Sequence, residues 1–534
     1  MIEDVDAGNV TAGTKSNSGG VNLYQNKAIV LIPTPSPDPK DPLNLPAWHK
    51  YLMIFLVGVY SAFAVLGTSG LGAVYPEVMK MYKPEEAIRA TDLMTYPTLF
   101  MGLGNLFSMP LSVAIGRRPV FLASLVLLLA SSIWCACSGN NLSSHIGGRN
   151  IFSMAAGQSE ALAPLIVEEI HFLHERSAKL SWFVGVQTVG TAVMFIATTA
   201  LVPVWGLKWW YGIIAIVTGV LLILSVLFMV ETKYDRPVDA DGGLVQLKFD
   251  EQGNLDSEGK QNFLYQVTTK QTHVLQPEIF GPRTWRYDLR VFHFKPDWKA
   301  TVVFYKETLQ CLIIPNVFWL LCLNGAFLGL YVYQASTFAQ LLMPPPHLFT
   351  SMELGYVQLV QIADCMILIP VLGYGADFLV KSMSRWRDGI FKPEYRLLPI
   401  AFPAICAIIS AVLYGRGAQD LLSWHWMTIV GPYHLGYFAF IGCNVISIAY
   451  CIDSFPRKAG PLLLVVCAGR GFISFGLSYS TVPAIKSLGY DGAMNILAII
   501  SGVLLAVLVP AYLTGQYFRN LFAKKVFKEE SSVH

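Results

Sequence analysis

Long apolar runs separated by polar turns set the pattern of this chain. A membrane-crossing helix needs about 20 mostly apolar residues, because the hydrocarbon core is ~30 Å thick and each residue adds ~1.5 Å. Runs of that length fall at 51–75, 92–115, 119–138, 146–167, 180–203 and 209–230. Six more follow at 312–336, 353–377, 397–415, 426–451, 459–483 and 491–515. The pattern predicts twelve spans, split evenly by a long polar interval. The ~10-residue alternating segments of a membrane barrel are not seen. Gly, Pro and Ser recur inside the runs, as in membrane helices. The expected division is a leader 1–50, a six-helix bundle 51–230, a central loop 231–309, a second bundle 310–515 and a tail 516–534.

Composition agrees: 54% of the 534 residues are hydrophobic and 14% charged, against about 25% charged in soluble domains. Mean hydropathy is +0.49. A net charge of +3 gives no case for a nucleic-acid partner. The placement of charge is more telling. In the inter-span loops and C-terminal tail, the central loop aside, fifteen Lys and Arg lie on the side of the termini and six on the other. Positive loops stay inside, so both termini are expected in the cytoplasm. The polar leader lacks an apolar signal core, so no cleaved signal peptide is expected. Its "TPSPDPKDP" is a stiff approach to the first span. In the central loop, "DEQGNLDSEGKQ" is expected to be disordered. "TWRYDLRVFHFKPDWK" fits either a membrane-surface segment or a packed linker.

Nine cysteines sit in or beside spans and read as small apolar side chains. No phosphate-binding loop, HExxH or GxSxG motif occurs. Neither an enzyme nor a cofactor or metal site is expected.

Charges inside the spans carry the candidate chemistry, since each costs ~2.5–3.5 kcal/mol if left to lipid. Arg149 and Glu160 are eleven residues apart. On a regular helix that is ~1100°, so they share a face with Ser153 and Gly157, ~16 Å apart. Burial favours the neutral form of a carboxyl, which makes Glu160 the leading proton or cation site. The bland reading has Glu160 bonded to a neighbouring helix and Arg149 capping loop carbonyls. Asp364 in the eighth span and Arg470 in the eleventh are expected to pair across helices. His434 in the tenth is a titratable candidate or a packing residue. Asp453 is assigned to a gate or loop. Gln187, Asn324, Tyr331, Gln334, Gln358, Gln361 and Asn444 are candidate hydrogen-bonding groups.

The two-bundle layout is one known solution for secondary transport. "PLSVAIGRRPVFL", "GYGADFLVK" and "GGRNIFSMAAGQSEAL" together resemble the major facilitator superfamily. Gly116, Arg117 and Arg118 match its loop signature after the second span, Gly373 and Asp377 the second-half equivalent, and Arg149 the arginine of the fourth span. The chain more closely resembles fungal twelve-span drug:proton antiporter-type members, through "DPLNLPAWHK", "GQSEALAPLIVEEIHFLHERS", "ETKYDRP" and "IDSFPRKAG". Its opening "LIPTPSPDPKDPLN" is similar to the yeast histidinol/polyamine permease-like group. Two positions depart: Val113 replaces the usual Asp, and "VGVQTVGTAVMF" lacks the antiporter proline.

The resemblance implies an all-α integral membrane protein with the major facilitator fold, twelve transmembrane helices in two six-helix bundles. It implies alternating access at the plasma membrane of a fungus-like cell, as a monomer exchanging a small-molecule substrate for protons. Export of drugs or secondary metabolites is the first expectation, and uptake of organic cations such as polyamines the second. A non-transporting sensor is third, and the short tail argues against it. Gly116, Arg117, Arg118, Gly373 and Asp377 would form a cytoplasmic latch between the bundles.

Overall fold

The computed structural model describes residues 35–234, 277–368 and 392–525, apart from 456–457, with shorter pieces between. Nine helices among the described residues are long and apolar enough to cross a membrane. One of them, Trp182–Phe228, is two expected spans joined at a bend. The fourth and eighth expected spans are helical too, the fourth in pieces and the eighth as Ser351–Leu368. As far as the described residues go, each of the twelve expected runs therefore carries helix. Two short antiparallel ribbons, Tyr24–Gln25 with Ala28–Ile29 and Val245–Phe249 with Gln261–Tyr265, lie outside the spans. Of the stretch 250–261, expected to be disordered, 250–260 is outside the described residues and Gln261 begins a strand.

Boundaries shift where local chemistry moves them. Span 1 is Ala47–Ser69, starting directly after Pro46 and ending in a tighter 3-10 turn, Gly70–Val74. Spans 2 and 3, Asp92–Ile115 and Arg117–Cys137, are separated by Gly116 alone. Span 4 is not the regular helix assumed from spacing. It runs Leu142–Ala156, tightens to 3-10 over Gly157–Ser159, and resumes at Leu162–Glu169. Pro164 explains the break, because a helical proline has no N–H and its ring excludes the carbonyl four residues earlier, here that of Glu160. The face shared by Arg149 and Glu160 in a regular helix is thereby lost.

The second half comprises span 7 (Pro315–Leu342), span 8 (Ser351–Leu368), span 9 (Ala401–Gln419, after a 3-10 segment), span 10 (Met427–Ser454) and span 11 (Ala459–Tyr479). Span 12 follows from Gly489 through Ala506, and helix continues over Leu508–Lys525. Spans 5 and 6 turn at Gly206, φ 75° and ψ 171°. The end of span 11 turns into span 12 at Gly489, φ 71° and ψ 178°. The two halves use one turn geometry at equivalent places, as repeats would.

The halves meet where the 3-10 turn after span 1 packs on span 7, and along spans 2 and 11 and spans 5 and 8. Spans 2 and 11 approach at backbone distance: a Cβ on Gly471 would stand 2.8 Å from the Thr98 carbonyl oxygen. Small residues permit such crossings between membrane helices. A linker helix, Trp298–Leu312, capped by Asp297, packs against span 2 and span 11. Tyr305 donates to the Leu106 carbonyl at 2.9 Å and Lys458 bridges to Glu307 at 2.5 Å. Trp182, Ile223, Val302, Met366 and Leu513 point outward, the surface a bilayer would cover.

Only glycine holds the Gly206 and Gly489 conformations without strain. Gly206→Ala, with nothing near its new methyl, should cost about 1–3 kcal/mol of backbone strain. Gly489→Ala should cost more, because its Cβ would fall 2.6 Å from Gln419 Oε1. Thermal unfolding in detergent checks the order.

Candidate translocation site between the two halves

Proline chemistry in the spans builds the site. Freed by Pro164, the Glu160 carbonyl accepts the Cys467 thiol of span 11 at 3.4 Å. The Glu160 carboxylate meets the same helix, its Oε1 2.8 Å from Arg470 Nη2. Arg470 is 4% exposed and Glu160 18%. Arg470 also donates to Asn444 Oδ1 at 2.5 Å and lies 5.5 Å from the Phe440 ring centroid. Glu160 is thus tied to the second half by backbone and side chain together.

The expected Asp364–Arg470 pair does not form. Span 11 packs against spans 2 and 7, whereas span 8 packs against spans 5 and 10. Arg470 consequently takes Glu160, and Asp364 takes His434, with Oδ2 2.9 Å from Nδ1. His434 is 7% exposed.

An aromatic column connects the two pairs. Tyr433, next to His434, places its hydroxyl 3.2 Å from that of Tyr331, with the rings stacked at 5.5 Å. Tyr331 stacks in turn on Phe440, 6.2 Å away at 7°. Gln361 donates to Tyr331 and Tyr433 at 3.3 Å and to Gln358 at 2.7 Å. Such a wall offers π faces to a cation and hydroxyls to polar groups.

Arg149 lies elsewhere. It is buried, and donates to the carbonyls of Leu93 (3.0 Å), Gly67 (2.9 Å) and Thr68 (2.7 Å) and to the Tyr211 hydroxyl (3.1 Å). The Leu93 carbonyl stands four residues before Pro97, and those of Gly67 and Thr68 end a helix. Arg149 is occupied by backbone, which is the bland reading of it.

On the face carrying the termini, Gly116 has φ +109° and a Cβ there would lie 2.3 Å from Glu231 Oε2. Glu231 accepts the backbone N–H groups of Arg117 (2.8 Å), Arg118 (3.2 Å) and Lys233 (2.9 Å), capping the positive start of span 3. Burial pushes its carboxyl above the usual range, against the pull of those N–H groups. The Arg117 guanidinium pairs with Glu169 at 2.7 Å. Arg118 donates to the carbonyls of Val226 (2.8 Å), Asp288 and Arg290. Among the described residues, the partners of Gly116, Arg117 and Arg118 belong to the first half and the central loop. Gly373 and Asp377 are outside the described residues. In the second half, Arg396 pairs with Asp453 between the starts and ends of spans 9 and 10, repeating Arg117–Glu169. Sequence reasoning missed Glu231; its position after the last apolar residue of span 6 was the available signal.

Two stability predictions follow from these contacts. Arg470→Gln should cost about 3–5 kcal/mol by stranding Glu160, and adding Glu160→Gln should recover part of it. Denaturant unfolding of the double-mutant cycle should give about 1–3 kcal/mol of coupling. Secondly, burial depresses the His171 imidazole, between spans 4 and 5, from 6.5 to about 4, with Lys50 and Lys179 adding to this and the Val167 carbonyl and Glu175 opposing. The unfolded chain gains a proton first on acidification. His171's stabilisation is therefore full above 6.5 and lost as pH falls toward 4, of the order of 3 kcal/mol in all. His171→Asn should flatten the stability–pH curve in that window.

The architecture has relatives. The family model described as Major Facilitator Superfamily matches residues 57–461. Protein HOL1 of Saccharomyces cerevisiae is 23% identical, over 93% of this chain and 92% of its own. Efflux pump radE of Floropilus chiversii is 22% identical, over 90% and 83% respectively. The xylose transporter XylE from E. coli, in a partially occluded inward-open conformation, superposes with a TM-score of 0.54 at 13% identity, covering 87% of this chain and 97% of that one. That likeness concerns the fold. With a family match across most of its length and membrane-length helices among the described residues of both halves, the chain belongs to the Major Facilitator Superfamily and is a multi-pass membrane transporter, not an enzyme.

Proposed function

We propose that the chain is a proton-coupled carrier that works by alternating access and exports small organic compounds, cationic or amphipathic, from the cytoplasm. The observation that carries this reading is the Glu160–Arg470 pair, one charge from each half at 2.8 Å. While Glu160 is ionised, the pair holds spans 4 and 11 together. A proton on Glu160 removes the attraction and frees the halves to rock. A neutral Glu160 leaves the Arg470 guanidinium buried without its counter-charge, which is costly, so protonation favours a rearrangement that returns Arg470 to water or to another partner. Asn105, Ser153, Gln158 and Ser159, buried on spans 2 and 4, carry polar atoms without a hydrogen-bond partner among the described residues. They supply the polar surroundings that a proton's approach to Glu160 needs.

Substrate selection falls to the second pair and the aromatic column. A cation beside Asp364 replaces a proton held on His434, and its apolar body lies along Tyr331 and Phe440. The efflux pump among the relatives favours the outward direction. In this reading the termini are cytoplasmic, residues 51–230 and 310–515 are the moving bundles, and the carrier is a monomer at the plasma membrane. Arg149 serves as a positioning residue for spans 1, 2 and 4. Two carboxylates facing aromatic rings also suit inward transport of polyamine-like cations, the second reading.

Sealed vesicles of known orientation with an imposed pH gradient separate these readings, using a panel of drugs, polyamines and secondary metabolites. Accumulation opposite to proton flow supports export, and accumulation along it supports uptake. Indifference to the gradient refutes coupling. Glu160→Gln should fold and lower gradient-driven accumulation by about 10-fold or more. Wild-type transport by that variant at every pH would make Glu160 structural.

A further inference from the structure

The leader is folded onto the face of the termini. Asp41 accepts the backbone N–H groups of Ser36 and Leu43, both at 3.0 Å. Asn44 donates to the carbonyls of Ser36 and Asp38, both at 2.8 Å. Lys50 of span 1 reaches the Leu43 carbonyl at 2.9 Å. The strap is fastened to the central loop by Lys40, which donates to the Phe280 carbonyl at 2.7 Å and lies 5.5 Å from the Tyr287 ring centroid. It is fastened to the end of span 6 by Ser36, whose hydroxyl is 3.1 Å from that of Tyr234. Tyr234 donates to Asp38 at 3.3 Å. Leader, loop and span 6 together enclose a cavity of about 290 Å³ that Asp38, Lys40 and Tyr234 help to line.

Ser36 occupies a distinctive place in this strap. It is half-buried between Pro35 and Pro37, in "TPSPDP", whereas both prolines are buried. The prolines hold the segment extended. Extended serine followed by proline is the substrate form taken by proline-directed protein kinases. We infer that Ser36 is a phosphorylation site whose modification releases the leader from the central loop and span 6. In the transfer, the γ-phosphoryl of a magnesium-bound nucleoside triphosphate joins Ser36 Oγ. Its bond to the β-phosphate oxygen breaks, nucleoside diphosphate leaves, and the hydroxyl proton passes to the kinase's base.

Release follows from the charges already around Ser36. A phosphate there carries close to two negative charges. Docked, it would stand beside the Asp41 carboxylate, which holds the Ser36 N–H, and near Asp38 through Tyr234, while the cations that line the same cavity, Lys40, Lys233 and Arg283, are engaged by the Phe280 and Val113 carbonyls and by Asp288. Repulsion and lost hydration disfavour the docked strap, while the undocked one is solvated. Lys40 leaves with it and gives up the central loop. That loop supplies the Asp288 and Arg290 carbonyls that grip Arg118. The modification is therefore mechanically linked to the Gly116–Arg118 turn. Access of a cytoplasmic kinase rests on the orientation proposed above.

The full chain in detergent, incubated with a proline-directed serine kinase, ATP and magnesium, tests the site apart from orientation. Phosphate on Ser36 by peptide mass, absent in Ser36→Ala, is the expected result. Hydrogen exchange over 35–45 and 277–290 should then rise about tenfold, and Ser36→Glu should reproduce the rise unmodified. Phosphate confined to Thr34, or a phosphorylated leader as protected as that of Ser36→Ala, overturns the proposal. Repeating the reaction on sealed vesicles isolates orientation. Labelling only in inside-out vesicles supports the cytoplasmic leader, and labelling only in right-side-out ones overturns that orientation and leaves the site standing.

Discussion

A backbone carbonyl inside a bilayer must find a donor within the protein, because no water is there to serve it. Prolines make this constraint acute by deleting a helical bond. Pro97 frees Leu93, Pro110 frees Leu106 and Pro164 frees Glu160, each four residues earlier. Each freed carbonyl is taken by a side chain from another element: Arg149, Tyr305 and Cys467 in turn. The bonds a proline removes from one helix become bonds between helices. Two of the three reach beyond the first half, to the linker helix and span 11. The fold's most telling cross-links are thus consequences of where prolines stand.

That view changes what the intramembrane charges mean. Arg149 looked like a site residue because an arginine in lipid is costly. Its donors are aimed at carbonyls that helix ends and a proline leave open, so its charge is absorbed by backbone dipoles. Glu160 is different. It is one residue past a 3-10 turn, with its carbonyl spent on Cys467 and its carboxylate facing a cation from the other half. A charge satisfied by backbone is fixed, since carbonyls do not titrate. A charge satisfied by another titratable or mobile group can change its state.

The fold was legible in the sequence because hydrophobic length is a local property, and the bilayer imposes it run by run. Charge pairing was less legible. Asp364 and Arg470 looked like partners because both lie mid-span in the second half, yet which helices touch is decided by packing that no single run records. The Arg149–Glu160 face is lost for a narrower reason: spacing assumes a constant helical phase, and the 3-10 turn ahead of Pro164 changes that phase between the two residues. Glu231 escaped notice because a carboxylate at a span end reads as ordinary solvated charge. Only the fold reveals that it caps span 3, far earlier in the chain, through the N–H groups of Arg117 and Arg118, while also holding the Lys233 N–H.

Comparison of the halves separates scaffold from chemistry. The glycine turns at 206 and 489 match in conformation. The pairs Arg117–Glu169 and Arg396–Asp453 match in position and sign. Repeated features treat both bundles alike, so they can hold each bundle rigid but cannot tell one from the other. Direction and coupling need something unrepeated. The first half offers a lone carboxylate on a broken helix, and the second offers an arginine on an intact one, with a second acid–base pair beyond an aromatic column. Rigid, repeated bundles meeting at an unrepeated pair of charges concentrate the energetic difference between states at one contact. On the proposed reading, a single proton at that contact is enough to shift the balance.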